Sequence, residues 1–406
     1  MFGVNVFVRL SGIPARHLHA RPVRMVVTFT ALQSGRALRR IAFRCLARLA
    51  VALLAVAAAF SAAQTPAASE PTAPVPDVAA KPSPPAKPAV DIALVLPLDA
   101  PAYARAAEAV RAGFVAAAEP ARGRTTFVVI PHAADGVLEA FEAARRSGAK
   151  VIVGPLIRDD LRVVAQTYLE LPWTLALNQS EDAALGPPQL FTFSLTVESD
   201  ARAIARRMHD DAAQNVAVVG ADTPLMKRFA VAFTAEWLLS GGNAPSAFRF
   251  EPTPEALTVL KRDLGKKVPD AALLAVDGVD APLVKPFLGT VAAYASALVF
   301  DRKSFATLRD LDGLAIVEIP WLVTPGAPEF ARFPHRDLGS ESLERLYALG
   351  LDAFRIAQAL MDGPPVRFVL EGATGRVTLA EGRQFVREGR LAVYRAGQLV
   401  PLDGGR

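Results

Sequence analysis

Ser147 and Lys150 have the residue types and spacing of the S-x-x-K motif, in which a serine forms an acyl intermediate with the help of a lysine. The S-D-N and K-T-G partners of that motif are absent from the whole sequence. The match also falls where a helix is predicted to end, at Gly148, and a strand to begin. We therefore interpret it as a coincidence of sequence.

The sequence offers few other groups for catalysis or metal binding. Beyond residue 63 the histidines are His132, His209 and His335, which lie far apart and lack metal-ligand spacing. Cys45 is the single cysteine, so residues 64–406 contain neither a thiol nucleophile nor a disulfide. G-x-S-x-G, Walker A and G-x-G-x-x-G motifs are absent. We predict surface or structural histidines, no enzymatic activity, no metal and no cofactor.

A set of residues that follow predicted strands is better suited to binding than to catalysis. Backbone N–H groups and short polar side chains there could hold a small polar ligand by hydrogen bonds. The alternative is that they only cap helices and form turns, as aspartate, asparagine, serine and threonine often do. Both interpretations stay open from the sequence. The candidates are Asp99, Leu156, Ile157, Asn178, Gln179, Ser180, Asp222, Thr223, Asp277 and Asp301.

Alternating strands and helices are predicted to position these candidates. In the stretch VIVGPLIRDD, Val151–Val153 is typical of a strand buried on both faces, and Gly154-Pro155 ends it. Asp159 and Asp160 follow at the start of a helix, where the helix dipole favours negative charge. The loop after such a strand is where open α/β sheets bind ligands.

The same alternation continues from Asp91 in two series, which predicts an α/β fold. Each series is long enough for a Rossmann-like lobe, with a parallel sheet flanked by helices and a cleft between the two lobes. In the second series we predict strands at Val216–Gly220, Ala272–Val276 and Ala297–Phe300. A long amphipathic helix spans Leu343 to Ala357, and Gly350 lies inside it.

The first 63 residues have the anatomy of a secretory signal peptide. They contain nine arginines and no lysine, aspartate or glutamate, and the apolar stretch from Leu49 to Phe60 is short for a membrane span. We predict export to the periplasm with cleavage after Ala63, and no stable membrane span afterwards. An uncleaved anchor is the alternative, and Met25 is an alternative start. Cys45 precedes the apolar stretch, so no lipobox is present.

Beyond the leader, the charge balance gives no sign of a nucleic-acid partner, and the composition of residues 64–90 is unsuited to a folded core. Residues 64–406 hold 36 basic against 40 acidic residues, so the basic balance of the whole chain gives no reason to expect a nucleic-acid partner. Residues 64–90 contain eight prolines among alanines and cannot bury a core, which predicts a disordered linker.

Five stretches give the folded region a resemblance to a known family. The stretches and their order along the chain resemble those of LppC-type penicillin-binding-protein activators. The domain of these activators has the fold of type I periplasmic binding proteins. The resemblance covers about Asp91 to Leu402. The stretches are IALVLPLDAPAYARAAEAVRAGFVAA, VIVGPLIRDD, FTFSLTVESDARAIARR, YALGLDAFRIAQAL and EGATGRVTLAEGRQFVREGRLAVYRAGQLVPL.

The resemblance implies a non-catalytic periplasmic protein that activates a bifunctional peptidoglycan synthase by protein–protein contact. A second hypothesis is a solute receptor that delivers an amino acid or similar small polar ligand to an ABC transporter. The expected organisation has four parts: a leader at 1–63, a linker at 64–90, a first lobe at 91–195 plus about 325–363, and a second lobe at 196–324 plus about 364–406.

Overall fold

The computed structural model describes residues 90–180, 186–300, 309–335 and 337–402. The predicted leader, nearly all of the predicted linker and the candidate Asp301 lie outside these ranges. Fifteen strands within them form two sheets. The strands are β1 (Ile92–Leu96), β2 (Phe127–Pro131), β3 (Val151–Val153), β4 (Trp173–Ala176), β5 (Leu190–Phe193), β6 (Val216–Ala221), β7 (Ser246–Phe250), β8 (Ala271–Ala275), β9 (Ala292–Ala295), β10 (Leu314–Glu318), β11 (Val369–Glu371), β12 (Arg376–Ala380), β13 (Gln384–Glu388), β14 (Arg390–Arg395) and β15 (Gln398–Pro401).

Helices connect most of these strands. The long ones present an apolar face to a sheet or to a neighbouring helix, and two of the helices below are single turns. The helices are α1 (Ala104–Ala118), α2 (Val137–Arg146), α3 (Arg158–Thr167), α4 (Val197–Asp210), α5 (Pro224–Leu239), α6 (Pro254–Lys266), α7 (Ala281–Val284), α8 (Pro320–Val323) and α9 (Glu341–Leu360).

The first sheet has eight strands in the order β11-β12-β13-β5-β4-β3-β1-β2. Strands β1 to β5 are parallel, with Ile92 opposite Phe127 on one side and Val151 on the other. Every residue of β1 is buried, as expected for a strand covered by helices on both faces. We call the part of the molecule built on this sheet the first lobe.

The second sheet has seven strands in the order β15-β14-β10-β9-β8-β6-β7 and forms the second lobe. Strands β6 to β10 are parallel, whereas β14 and β15 add an antiparallel edge. The two sheets, each dominated by parallel strands and flanked by helices, confirm the predicted α/β fold class.

The end of the chain divides between the lobes differently from our expectation. We assigned all of 364–406 to the second lobe, but β11, β12 and β13 belong to the first sheet, where β13 pairs with β5. Only β14 and β15 join the second sheet. Gly389 is the single residue between β13 and β14, so the chain crosses from one sheet to the other at that position. The hairpin hydrogen bonds of β12 with β13 hold the preceding residues on the first side.

One predicted strand is also misplaced. We expected a strand at Ala297–Phe300, but the strand is β9, and residues 297–299 form a 3₁₀ turn. The Ser296 hydroxyl accepts a hydrogen bond from the Leu298 N–H (3.3 Å), which caps this turn and ends the strand.

Helices α1 and α9 approach each other through two glycines. A Cβ added at Gly113 would lie 1.9 Å from the Tyr347 carbonyl oxygen, and one added at Gly350 would lie 2.1 Å from the Val110 carbonyl oxygen. Side chains next to the crossing, Phe114 and Phe354, pack edge to face with ring centroids 5.2 Å apart. The glycine that weakens α9 as a helix is therefore required for its packing on α1.

The described helices include none that combines the length and the apolar character needed to cross a bilayer.

Candidate functional site

In the first lobe, the loops that follow β3 and β4 lie against each other. The Asn178 side-chain amide donates to the Leu156 carbonyl (2.8 Å), and its oxygen accepts from the Gln179 N–H (2.9 Å). Arg158, in the first turn of α3, donates from Nε to the Gln179 carbonyl (2.9 Å). The candidates Leu156, Asn178 and Gln179 thus share one hydrogen-bonded cluster at the carboxyl edge of the sheet. Ile157 and Ser180, both half-buried, adjoin it in sequence.

Asp99 lies in the neighbouring loop, after β1. Its N–H donates to the His132 carbonyl (3.2 Å), while its side chain is exposed. His132 itself is buried, with Nε2 4.0 Å from an oxygen of the buried Asp160. Desolvation raises the pKa of Asp160, and the nearby His132 opposes that rise. A histidine and an aspartate, rather than the exposed Asp99, therefore form the buried polar part of this edge.

The candidates of the second lobe have local partners. Asp222 is exposed and forms ion pairs with Lys227 and, at 3.7 Å, with Arg249. Thr223 is the N-cap of α5, where its hydroxyl accepts from the Met226 N–H (3.3 Å). The exposed Asp277 carboxylate accepts from the two N–H groups of Val279 and Asp280, each at 3.0 Å. Capping and turn roles thus account for the observed contacts of these three residues, and a ligand contact in addition remains our proposal.

The residues that resembled catalytic groups are not brought together. The Ser147 hydroxyl donates to the Ala144 carbonyl (2.7 Å) at the end of α2. Lys150 pairs instead with Asp91 at the start of β1 (3.0 Å). His209 is exposed, and His335 stacks on Trp321 with ring centroids 4.0 Å apart. In the described parts of the chain, no three histidine, aspartate or glutamate side chains cluster as metal ligands.

The sequence reasoning missed a buried ion pair that joins the lobes. Arg345 on α9 donates from Nε to both carboxylate oxygens of Glu318 (3.0 and 3.1 Å), at the end of β10. Its Nη2 donates to the Ala297 carbonyl (2.8 Å) of the second lobe, while α9 packs on β3 and β4 of the first. Glu318 is 1% exposed. A glutamate that interrupts the apolar run LAIVEIPWLV was the signal in the sequence.

A second buried pair lies beside the strand that crosses between the sheets. Arg387 of β13 donates from Nη2 to both oxygens of Asp200 on α4, at 2.9 and 3.0 Å. Both residues are buried. The pair therefore ties α4, which opens the second lobe, to the part of the tail that belongs to the first sheet.

Two stretches that carried the family resemblance meet through Asp352. Its carboxylate accepts hydrogen bonds from the Ala373 N–H (3.0 Å), the Thr374 N–H (2.8 Å) and the Thr374 hydroxyl (2.7 Å). Asp352 belongs to ALGLDAF in α9, and Ala373 and Thr374 belong to the GATG loop before β12. All three residues are buried. The carboxylate thus fixes the start of the tail hairpin on the long helix.

Replacing Asp352 tests this connection. Asp352→Ala leaves two buried N–H groups and a hydroxyl without an acceptor, so we expect the free energy of unfolding to fall by about 3 kcal/mol. Asp352→Asn keeps one acceptor oxygen and should lose less. Urea unfolding followed by circular dichroism measures both values. Equal losses in the two variants would show that the hydrogen bonds to the GATG loop contribute little.

The pH dependence of stability tests the Asp200–Arg387 pair. Desolvation raises the pKa of Asp200 from 3.8 to about 6, although the charge of Arg387 lowers it. Between these two pKa values the folded chain binds more protons at Asp200 than the unfolded chain. The contribution of this group to stability therefore falls as pH rises through that window. From pH 5 to pH 7 we expect a loss of about 1 kcal/mol.

Urea unfolding of the wild type and of Asp200→Asn at several pH values isolates this contribution. The asparagine variant has no proton to bind at this site. The difference between the two free energies of unfolding should therefore widen from pH 7 to pH 5, and a difference that is constant with pH would contradict the assignment.

Comparison with known proteins identifies the family. The model of the family described as "LppC putative lipoprotein" matches residues 85–264 and 270–397. Among curated proteins, the penicillin-binding protein activator LpoA of Mannheimia succiniciproducens is 25% identical over 324 residues. That match covers 77% of this chain and 55% of the relative. The chain spans about half the length of the curated relatives it matches.

Solved structures share the fold. The C-domain of LpoA from Haemophilus influenzae, described as a regulator of PBP1A, superposes with a TM-score of 0.67 at 21% identity. The match covers 77% of this chain and 99% of that domain. A protein of Chromobacterium violaceum described as a "putative branched-chain amino acid ABC transporter" matches with a TM-score of 0.66 and 31% identity, over 75% of this chain and 99% of the other.

The family model extends over both lobes and accounts for well over half of the sequence, in agreement with the resemblance found in the five stretches. The chain belongs to the LppC family.

Proposed function

We propose that the protein is a non-catalytic periplasmic regulator that activates a bifunctional peptidoglycan synthase by direct contact. One observation carries the proposal: the two-lobed region corresponds to nearly the whole of a domain whose parent protein is described as a regulator of PBP1A. The curated relatives that match the same region are named penicillin-binding protein activators. The arginine-rich leader and its small residues before Gln64 support export and cleavage.

Reconstitution with the purified synthase tests the proposal. The glycan-polymerising and cross-linking rates of the cognate bifunctional enzyme are measured alone and with increasing amounts of the protein. We expect at least one rate to rise and to saturate as the complex fills. The same protein after irreversible thermal unfolding serves as the control and should leave both rates unchanged. Rates that this protein does not alter would overturn the proposal.

A solute receptor is the second candidate function, and the 31% identity to the transporter-related protein favours it. The hydrogen-bonded cluster of Leu156, Asn178 and Gln179 would then contribute to the ligand site, with Asp99, Asp222 and Asp277 at its margins. A ligand that binds only the folded chain raises its melting temperature. A panel of amino acids and small amides should therefore contain at least one compound that does so. The absence of any shift would exclude this candidate.

A capture experiment separates the two candidates. The exported protein is purified from its own host and immobilised. It is then incubated with a detergent extract of the cell envelope, and the bound proteins are identified by mass spectrometry. Recovery of a bifunctional synthase supports the regulator, whereas recovery of a transporter permease supports the receptor.

A further inference from the structure

A groove rich in arginine lies between α4 and the β12–β13 hairpin, on the side of the molecule where the chain crosses between the sheets. Its volume is about 400 Å³. We call it the arginine groove. Its lining includes Ser199, Arg202, Arg206, Arg376, Arg387 and Glu388.

Arginines outnumber carboxylates in this lining, four to one. Arg206 pairs with Glu236 (3.0 Å) and with Glu388 (3.3 Å), and Arg387 pairs with Asp200 outside the lining. Arg376 has only a long contact of 3.5 Å with Glu371, and both side chains are mostly exposed. Arg202 forms no ion pair with any residue whose position the structure describes. Positive charge at the groove is therefore only partly neutralised by the protein.

Arg387 distinguishes the groove from an ordinary basic surface. It is 6% exposed, and Asp200 uses only its Nη2. Its Nε and Nη1 have no hydrogen-bond partner in the described residues. A buried guanidinium N–H without an acceptor is costly, so such groups are normally satisfied. Burial of the donors next to a groove of positive charge indicates that an acceptor is supplied from outside the chain.

We propose that the arginine groove binds a small oxyanion, a carboxylate or a phosphate. The planar fork of a guanidinium matches two oxygens of either group. Arg387 would form the base of the site, while Arg202 and Arg376 close over the ion from α4 and β12. The site lies at the crossing of the chain between the lobes, and it is independent of the regulatory function proposed above. A bound oxyanion would link the first turns of α4 to the tail hairpin.

Thermal unfolding and titration calorimetry with the full chain test the proposal. Inorganic phosphate and succinate serve as probes, and chloride at equal ionic strength is the reference for screening. The Arg202→Gln variant in the same salts is the reference for the general stabilisation that such anions give to folded proteins. We expect the melting temperature to rise with phosphate, succinate or both, relative to chloride. A response to one probe alone identifies the preferred class of oxyanion. The same melting temperature in all three salts would overturn the proposal.

Variants locate the binding. Because replacing Arg387 strands the buried Asp200, the informative changes are in exposed arginines, Arg202→Gln and Arg376→Gln. Each should weaken oxyanion affinity about tenfold, the value of one lost charged hydrogen bond. Arg262→Gln, on the exposed side of α6, is the matched control and should bind as the wild type does. Unchanged affinity in both groove variants would place the ion elsewhere and refute the site.

Discussion

Gly350→Ala is expected to lower the free energy of unfolding by about 3 kcal/mol, although alanine is the better helix former. The added methyl group would lie 2.1 Å from the Val110 carbonyl oxygen and 2.8 Å from the Phe114 nitrogen, both backbone atoms of α1. Backbone atoms cannot rotate away as a side chain can, so α1 and α9 have to separate. Their separation opens the core around Phe114 and Phe354. Urea unfolding measures the loss.

Gly265→Ala is the matched control for this prediction. Gly265 is an exposed residue near the end of α6, and a Cβ there meets no atom within 4 Å. The substitution should raise stability by about 0.5 kcal/mol, because it restricts the unfolded chain and favours the helix. Gly113→Ala should resemble Gly350→Ala, and the double variant should lose less than the sum, since either methyl group already parts the helices. A neutral Gly350→Ala would contradict the observed packing.

Arg345→Met is expected to cost about 3–5 kcal/mol at neutral pH, because it leaves the buried Glu318 carboxylate without a cation. The Ile319 N–H, at 2.8 Å, then still donates to that carboxylate. Methionine fills a similar volume, so the loss reports the charge rather than a cavity. Chemical denaturation at pH 7 gives the free energy of unfolding.

The double variant Glu318→Gln/Arg345→Met provides the control. It removes both charges together, and replacing a buried pair by neutral groups is often close to neutral in stability. We therefore expect it to recover most of the loss seen in Arg345→Met. A double variant as unstable as the single one would show that the hydrogen bond from Arg345 to the Ala297 carbonyl, rather than the ion pair, holds the lobes.

The strands and helices that could be predicted are those with a strong apolar pattern. Strand β3 has the predicted bounds, β6 and β8 lie within one residue of the predicted strands, and the helix predicted from Leu343 to Ala357 lies inside α9. The strands β7, β11 and β13 were missed. None of them is a continuous apolar run: β7 and β11 each include a polar or charged residue, and β13 contains glutamine, arginine and glutamate, which sequence rules place at the surface.

The buried charged residues that the sequence analysis missed have a similar physical origin. Arg387 is buried only because Asp200, 187 residues earlier, supplies the counter-charge. Asp352 is buried because the backbone of residues 373 and 374 folds over it. The loops after parallel strands were predictable from topology alone. Whether a polar loop residue faces a ligand or caps a helix depends on its neighbours in space, and the sequence alone does not determine them.

The crossing at Gly389 constrains how the molecule can move. A Cβ at this residue would lie 2.8 Å from Val317 Cγ1 and 3.0 Å from Arg387 Nη1, so the crossing is packed against both sheets. We therefore expect it to serve as a pivot if the lobes rotate relative to each other: such a rotation would move nearby atoms little and distant loops most. A partner protein that contacts both lobes far from Gly389 would therefore have the largest effect on their relative rotation. A partner that binds close to Gly389 would be displaced very little by the same rotation.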